Sequence, residues 1–151
     1  MGSKIDATSL REKLMSRFIP EEFEKTANGD FANKFRDRIL RFEVKQDGTG
    51  ERITLDSRGN VYQRILFSDA GEPVEIESGA KSSLDLETNG FQGGELRLGS
   101  DGWIYERYGD PKGRFYDIGH GPSGGVRGRL YGGDAAMKEI DIKPAPILRA
   151  D

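Results

Sequence analysis

The sequence predicts an α+β fold in which N-terminal helices pack on a mostly antiparallel β-sheet of short strands. Three observations point to it. Apolar residues recur at helical spacing over residues 1–40, and from Leu40 the period changes to two. The 151 residues also include 21 glycines, about twice the usual share of roughly 7%. At this length one domain with one core is expected.

The first helix rests on Ser9 and Glu12, spaced as a capping box, with Leu10, Leu14 and Phe18 along one face. Pro20 ends it and opens a second, Glu21 to Ala27, which Asn28-Gly29 closes. Asp30 caps a third, with Phe31, Phe35 and Ile39 on one stripe. A β-meander follows over residues 41–78. Leu40, Phe42 and Val44 alternate with charged residues, Gln46-Asp47-Gly48 turns into a strand around Ile53 and Leu55, and strands follow at Val61–Phe67 and Pro73–Ile76. Residues 79–151 form a Gly/Arg-rich β region, polar from Ser78 to Gly94. Strands are expected there at Trp103–Tyr108, Arg114–Ile118, Val126–Tyr131 and Met137–Ile142.

Leu55–Arg64 aligns without gaps on Leu98–Arg107, with Leu, Ser, Gly, Tyr and Arg identical in place. Both copies read as strand, glycine turn, strand, a duplicated hairpin too short for a solenoid. Hairpins of this kind resemble the YD repeats of large secreted shells.

Composition excludes several chemistries. With no cysteine there is no disulfide, thiolate zinc site or cysteine nucleophile, and one histidine cannot build a multi-histidine metal site. A net charge of -3 argues against binding duplex nucleic acid through bulk positive charge. No segment approaches the roughly 20 apolar residues of a membrane span. Met1-Gly2-Ser3-Lys4 lacks the apolar stretch of a signal peptide, which leaves the native N-terminus open.

Residues 102–133 are the richest in candidate chemistry. They hold ten of the 21 glycines, five basic residues and the only histidine, His120. Glycines let a backbone approach a ligand and arginines offer forked donors, so an anionic small molecule is the expected ligand. The competing reading is a set of tight turns with solvated arginines. Gly119 to Gly124 satisfies G-x-G-x-x-G, yet Pro122 and the following glycines deny it the helix that a dinucleotide fingerprint needs. The calcium-like spacing from Asp85 fails at its twelfth position, Leu96, where a carboxylate is required.

Asn89-Gly90-Phe91-Gln92-Gly93-Gly94, followed by Ile104 through Tyr108 and Gly109-Asp110-Pro111-Lys112-Gly113-Arg114-Phe115, resembles the core of TNT domains, the tuberculosis necrotizing toxin family of NAD glycohydrolases. Arg127-Gly128-Arg129-Leu130-Tyr131 and Lys138 through Pro144 look like the family's R-x-L element and its strand running into K-P. The resemblance implies that Arg107 engages the anionic part of NAD and that Phe115 occupies the place of a functional aromatic. It also implies hydrolysis of the nicotinamide–ribose bond, with NAD as substrate, no cofactor and no metal. Arg107, Phe115 and His120 are the candidate catalytic residues, and Arg114, Tyr116, Arg127 and Arg129 the candidate substrate-binding ones. A toxin of this kind is secreted or delivered into a target-cell cytoplasm and has an immunity protein as partner. The family's catalytic glutamine, beyond K-P, has no counterpart before Asp151, and Asp117 through His120 stand where the family has proline.

Two alternatives stand beside it. One is a compact RNase-type toxin domain using His120 and nearby arginines. The other is a non-catalytic β-rich interaction domain in which the duplicated hairpin is scaffold.

Overall fold

The computed structural model describes residues 23–81, 86, 90–99, 101–131 and 140–147. Eleven strands appear among them: β1 Phe23–Lys25, β2 Phe31–Asn33, β3 Ile39–Val44, β4 Gly50–Leu55, β5 Val61–Phe67, β6 Pro73–Ser78, β7 Gln92–Leu98, β8 Ile104–Gly109, β9 Phe115–His120, β10 Val126–Tyr131 and β11 Ile140–Ile142. The first six form one antiparallel sheet in chain order, and β7 to β11 form a second, also in chain order.

The expected α+β class is therefore corrected: the described residues contain no helix, and the fold they show is antiparallel β. The first helix, over Ser9 to Phe18, lies outside the described residues. The other two fall on β1, β2 and the start of β3. Phe31, Phe35 and Ile39 share a helical stripe only by coincidence of spacing. Phe31 is buried, Phe35 is 80% exposed in a turn, and Ile39 opens β3. A helix of seven to ten residues gains little on its own, whereas β2 pairs with β3 through Phe31 and Leu40 and joins an existing core.

One turn recurs throughout. Among the described residues, seven hairpins close through the same five-residue loop, in which the first N–H donates to the fifth carbonyl and the fourth N–H to the first carbonyl. The fourth residue is always glycine: Gly29, Gly48, Gly59, Gly71, Gly102, Gly113 and Gly124. All have φ between 81° and 100°, the left-handed position that completes this hairpin loop. Aspartates brace several loops. Asp56 Oδ1 accepts from the N–H groups of Arg58 and Asn60, both at 2.9 Å, and Asp110 Oδ1 accepts from Lys112 at 3.1 Å and Arg114 at 2.7 Å.

The duplicated hairpin is structural in both copies. Each runs from the last residue of a strand, through the glycine loop, into the next strand, and each tyrosine bonds its loop's aspartate: Tyr62 to Asp56 at 3.3 Å and Tyr105 to Asp101 at 2.8 Å.

Period-two alternation buries one face of most strands, while the central strand β4 is buried along its whole length, with Ile53 and Leu55 on the other face. Phe23, Phe31, Leu40, Phe42, Ile65 and Phe67 form the first sheet's core, and Ile104 of β8 packs into it. Tyr116, Ile118 and Val126 build the second core with Phe91, whose ring meets Tyr116 edge-on at 6.4 Å. The sheets are also joined by polar contacts. Arg52 donates to Gly102 O at 3.2 Å and to Gln63 Oε1 at 3.1 Å, Gln63 donates to Gly121 O at 2.9 Å, and Thr54 donates to Pro122 O at 2.8 Å. Arg52 is fully buried, and desolvation pulls its pKa down to about 10. These bonds seat the loops that carry Trp103 and Ser123 on the first sheet, which fixes how the second sheet is presented.

Candidate functional site

Strand register decides which of the candidate residues meet. On one face of β8, β9 and β10 lie the rows Ile104, His120, Val126 and Tyr108, Tyr116, Leu130; on the other lie Tyr105, Gly119, Arg127 and Arg107, Asp117, Arg129. Arg107, Phe115, Arg127 and Arg129 therefore stand on the outer face, and Tyr116 and His120 point into the core. Arg114 closes the loop between β8 and β9.

On the outer face, Arg107 Nε and Nη2 donate to the two carboxylate oxygens of Asp117 at 2.8 and 2.9 Å. This forked bond raises the Arg107 pKa further. Its guanidinium sits 5.2 Å from the Phe115 ring centre. Arg127 lies over Trp103 at 4.7 Å and Arg129 over Tyr131 at 5.9 Å. The Trp103 and Tyr105 rings stack at 6.5 Å. They lie across Gly119, where a Cβ would come within 2.9 Å of the Tyr105 ring. Burial, and then the bond to Asp101, push the Tyr105 phenol up to about 12. A shallow depression of about 350 Å³ opens among Arg97, Tyr105, Asp117 and Tyr131.

Arg114 Nε donates to Asp110 Oδ2 at 2.6 Å, and its guanidinium covers Phe91 at 5.2 Å. Desolvation pushes the Asp110 pKa upward, but the bonds from Arg114 outweigh it and the net direction is down.

On the inner face, His120 is 6% exposed, with Nε2 2.6 Å from Glu106 Oε2. Tyr108 donates to the other Glu106 oxygen at 3.1 Å. Among the described residues, His120 Nδ1 and the Tyr116 hydroxyl are buried without hydrogen-bond partners, and burial raises the Tyr116 pKa.

The seven candidates thus divide into an arginine–aromatic outer surface (Arg107, Phe115, Arg127 and Arg129), a loop brace (Arg114), a buried His–Glu contact (His120) and a core ring (Tyr116). The outer face can offer forked donors and ring faces to a ligand; His120 cannot reach that ligand through the sheet. Sequence reasoning missed Asp117 and Glu106 as partners. For Asp117 the signal was present, since Arg107 and Asp117 are equidistant from Lys112 at the centre of a loop whose glycine fixes the register; Glu106 lies opposite Ile118 and meets His120 only diagonally, which register alone does not single out. Among the described residues no group of three or more His, Asp or Glu side chains is placed to hold a metal ion, and no helix is long and apolar enough to cross a membrane.

Compared with known proteins, the chain matches no family model, no curated protein and no solved structure.

Proposed function

We propose that this chain is a non-catalytic β-rich binding domain whose contact surface is the outer face of the second sheet. One observation carries the reading: Arg107 and His120, on which catalysis would rest, stand on opposite faces of one sheet, each already bound to a carboxylate. General acid–base chemistry needs its groups within hydrogen-bond reach of one substrate. Seven of the 21 glycines, three of them within residues 102–133, stand at the left-handed position of the recurring loop and need no ligand to explain them. The test is incubation of concentrated protein with NAD and, separately, with total tRNA. No nicotinamide release and no cleavage are expected; either activity, lost on substitution of Arg107 or His120 with the fold intact, overturns the reading.

A second reading is NAD hydrolysis by a TNT-like toxin domain. The contact between Arg107 and Phe115 favours it, because the resemblance assigns these two residues to NAD and they meet on an exposed face. In that reading phosphate oxygens compete with Asp117 for the Arg107 fork, and Arg107→Ala abolishes nicotinamide release. The RNase reading, which needs His120 and the arginines on one substrate, draws no support from this arrangement.

A further inference from the structure

Among the described residues, the outer face of the second sheet carries four arginines, Arg97, Arg107, Arg127 and Arg129. Cross-strand register and the adjoining loop set four carboxylates on the same side: Glu95 opposite Arg107, Asp117 opposite Arg107 and Arg129, Asp141 opposite Arg127, and Asp101 bonded to Tyr105. Among the described residues, the strands of this face therefore set four arginines against three carboxylates, with Asp101 at its edge, so most of its positive charge is compensated. A surface built for phosphates carries uncompensated cations, because phosphate oxygens only accept hydrogen bonds. Forked donors set beside carboxylate acceptors suit hydroxyl groups, which both donate and accept.

The same face is aromatic. Tyr131 is 38% and Phe115 43% exposed, and the stacked Trp103 and Tyr105 rings lie beside the depression's edge. Arginines resting on Trp103, Phe115 and Tyr131 hold their guanidinium forks in place before any ligand arrives, which lowers the ordering cost of binding. From β7 to β10 the face spans three strand spacings, roughly 14 Å. The depression on it is shallow and lined by side chains from all four strands.

We infer that this face binds a neutral oligosaccharide. The inference rests on the binding-domain reading above and names the ligand class. The apolar C–H face of a pyranose ring covers an aromatic ring, and its hydroxyls bridge arginine and carboxylate. Tyr131 and Tyr105 supply ring faces, Arg97 donates, and the Asp117 carboxylate, already ordered by Arg107, accepts.

The test is calorimetric titration of the 151-residue chain with maltohexaose and with cellohexaose, and in parallel with oligouridylate and heparin. Binding of at least one neutral hexasaccharide is expected, unchanged between about 0.05 and 0.5 M salt because no counterions are released. Tyr131→Ala weakens it roughly tenfold, the scale of one lost ring contact in a wet site, and Arg97→Ala weakens it severalfold. Arg58→Ala, on an exposed loop of the other sheet, leaves it unchanged. Salt-sensitive binding of oligouridylate or heparin alone overturns the saccharide and keeps the binding face. Binding to none of the four overturns the inference, and the absence of NAD and tRNA turnover then still separates a binding domain from an enzyme.

Discussion

Arg107 and Asp117 face each other across β8 and β9 and share two hydrogen bonds, at 2.8 and 2.9 Å, on the solvent side of the sheet. The Arg107 side chain is 42% exposed, but the Asp117 carboxylate beneath it is buried. Arg64, at the same position of the duplicated hairpin, instead donates at 3.2 Å to Glu51, also buried, which Lys45 approaches at 3.9 Å. Removing a partner from a buried carboxylate costs about 1–3 kcal/mol. Glu51 keeps Lys45 when Arg64 is lost, whereas Asp117 loses both bonds of its fork, so urea midpoints should fall at least as far for Arg107→Ala as for Arg64→Ala. A clearly larger fall for Arg64→Ala would show that the fork carries little stability, and an NAD-hydrolysing activity lost only with Arg107 would favour the enzymatic reading.

His120→Ala removes one of the two partners of Glu106, leaving Tyr108, and opens a space on the inner face. A loss of about 2–3 kcal/mol is expected from the carboxylate oxygen left without its partner and the cavity together. Ligand binding on the outer face should be unchanged in the folded protein, because the side chain points the other way. Denaturant titration paired with calorimetry separates the two effects; a stable variant that has lost binding would refute the opposite-face arrangement.

Two glycines should respond differently to alanine. Gly113 has φ +86° and open space where a Cβ would stand, so Gly113→Ala costs only backbone strain, about 1 kcal/mol. Asparagine at that position should recover part of the loss. At Gly128 a Cβ would lie 2.5 Å from Ile140 and 2.6 Å from the Tyr116 hydroxyl. Gly128→Ala must displace both the Ile140 side chain and the Tyr116 ring, and a loss of about 2 kcal/mol or more is expected. Thermal unfolding of the two variants checks the order.

Acid sensitivity should originate in the loops. The bond from the Asn60 side chain, followed by backbone N–H groups and Tyr62, holds the Asp56 pKa below its ordinary 3.8, and bonds from Thr49 do the same for Asp47. A carboxyl group depressed in the folded state stabilises it fully above the unfolded value, and that contribution is lost as pH falls through the lower folded value. The urea midpoint should drop from about pH 4 downward, and Asp56→Asn with Asp47→Asn should flatten that limb. An unchanged slope in the double variant would locate acid sensitivity elsewhere.

Much of the β architecture was legible along the chain. Alternation placed β5 and β10 at Val61–Phe67 and Val126–Tyr131 with the observed bounds, because a half-buried strand has to alternate. The repeat of Leu55–Arg64 in Leu98–Arg107 identified a real duplicated hairpin. Polar residues on an apolar stripe, Gln63 beside Ile65 and Phe67, were a readable sign of the bonded network between the sheets, and went unread. The stripe of Phe31, Phe35 and Ile39 misled because i, i+4 spacing also fits two short strands joined by a turn, and only pairing with β3 separates the cases.

By itself, the sequence determined what lies close along the chain: the strand periods, the glycine loops, and the absence of cysteine and of a second histidine, since these depend on residue type and local geometry. Which face each side chain joins was decided only by tertiary structure. Alternation within a strand does not say how neighbouring strands are set against one another; loop register and the burial of one face do. That choice put His120 with Glu106 inside and Arg107 with Asp117 outside, separating two residues that stand only thirteen positions apart.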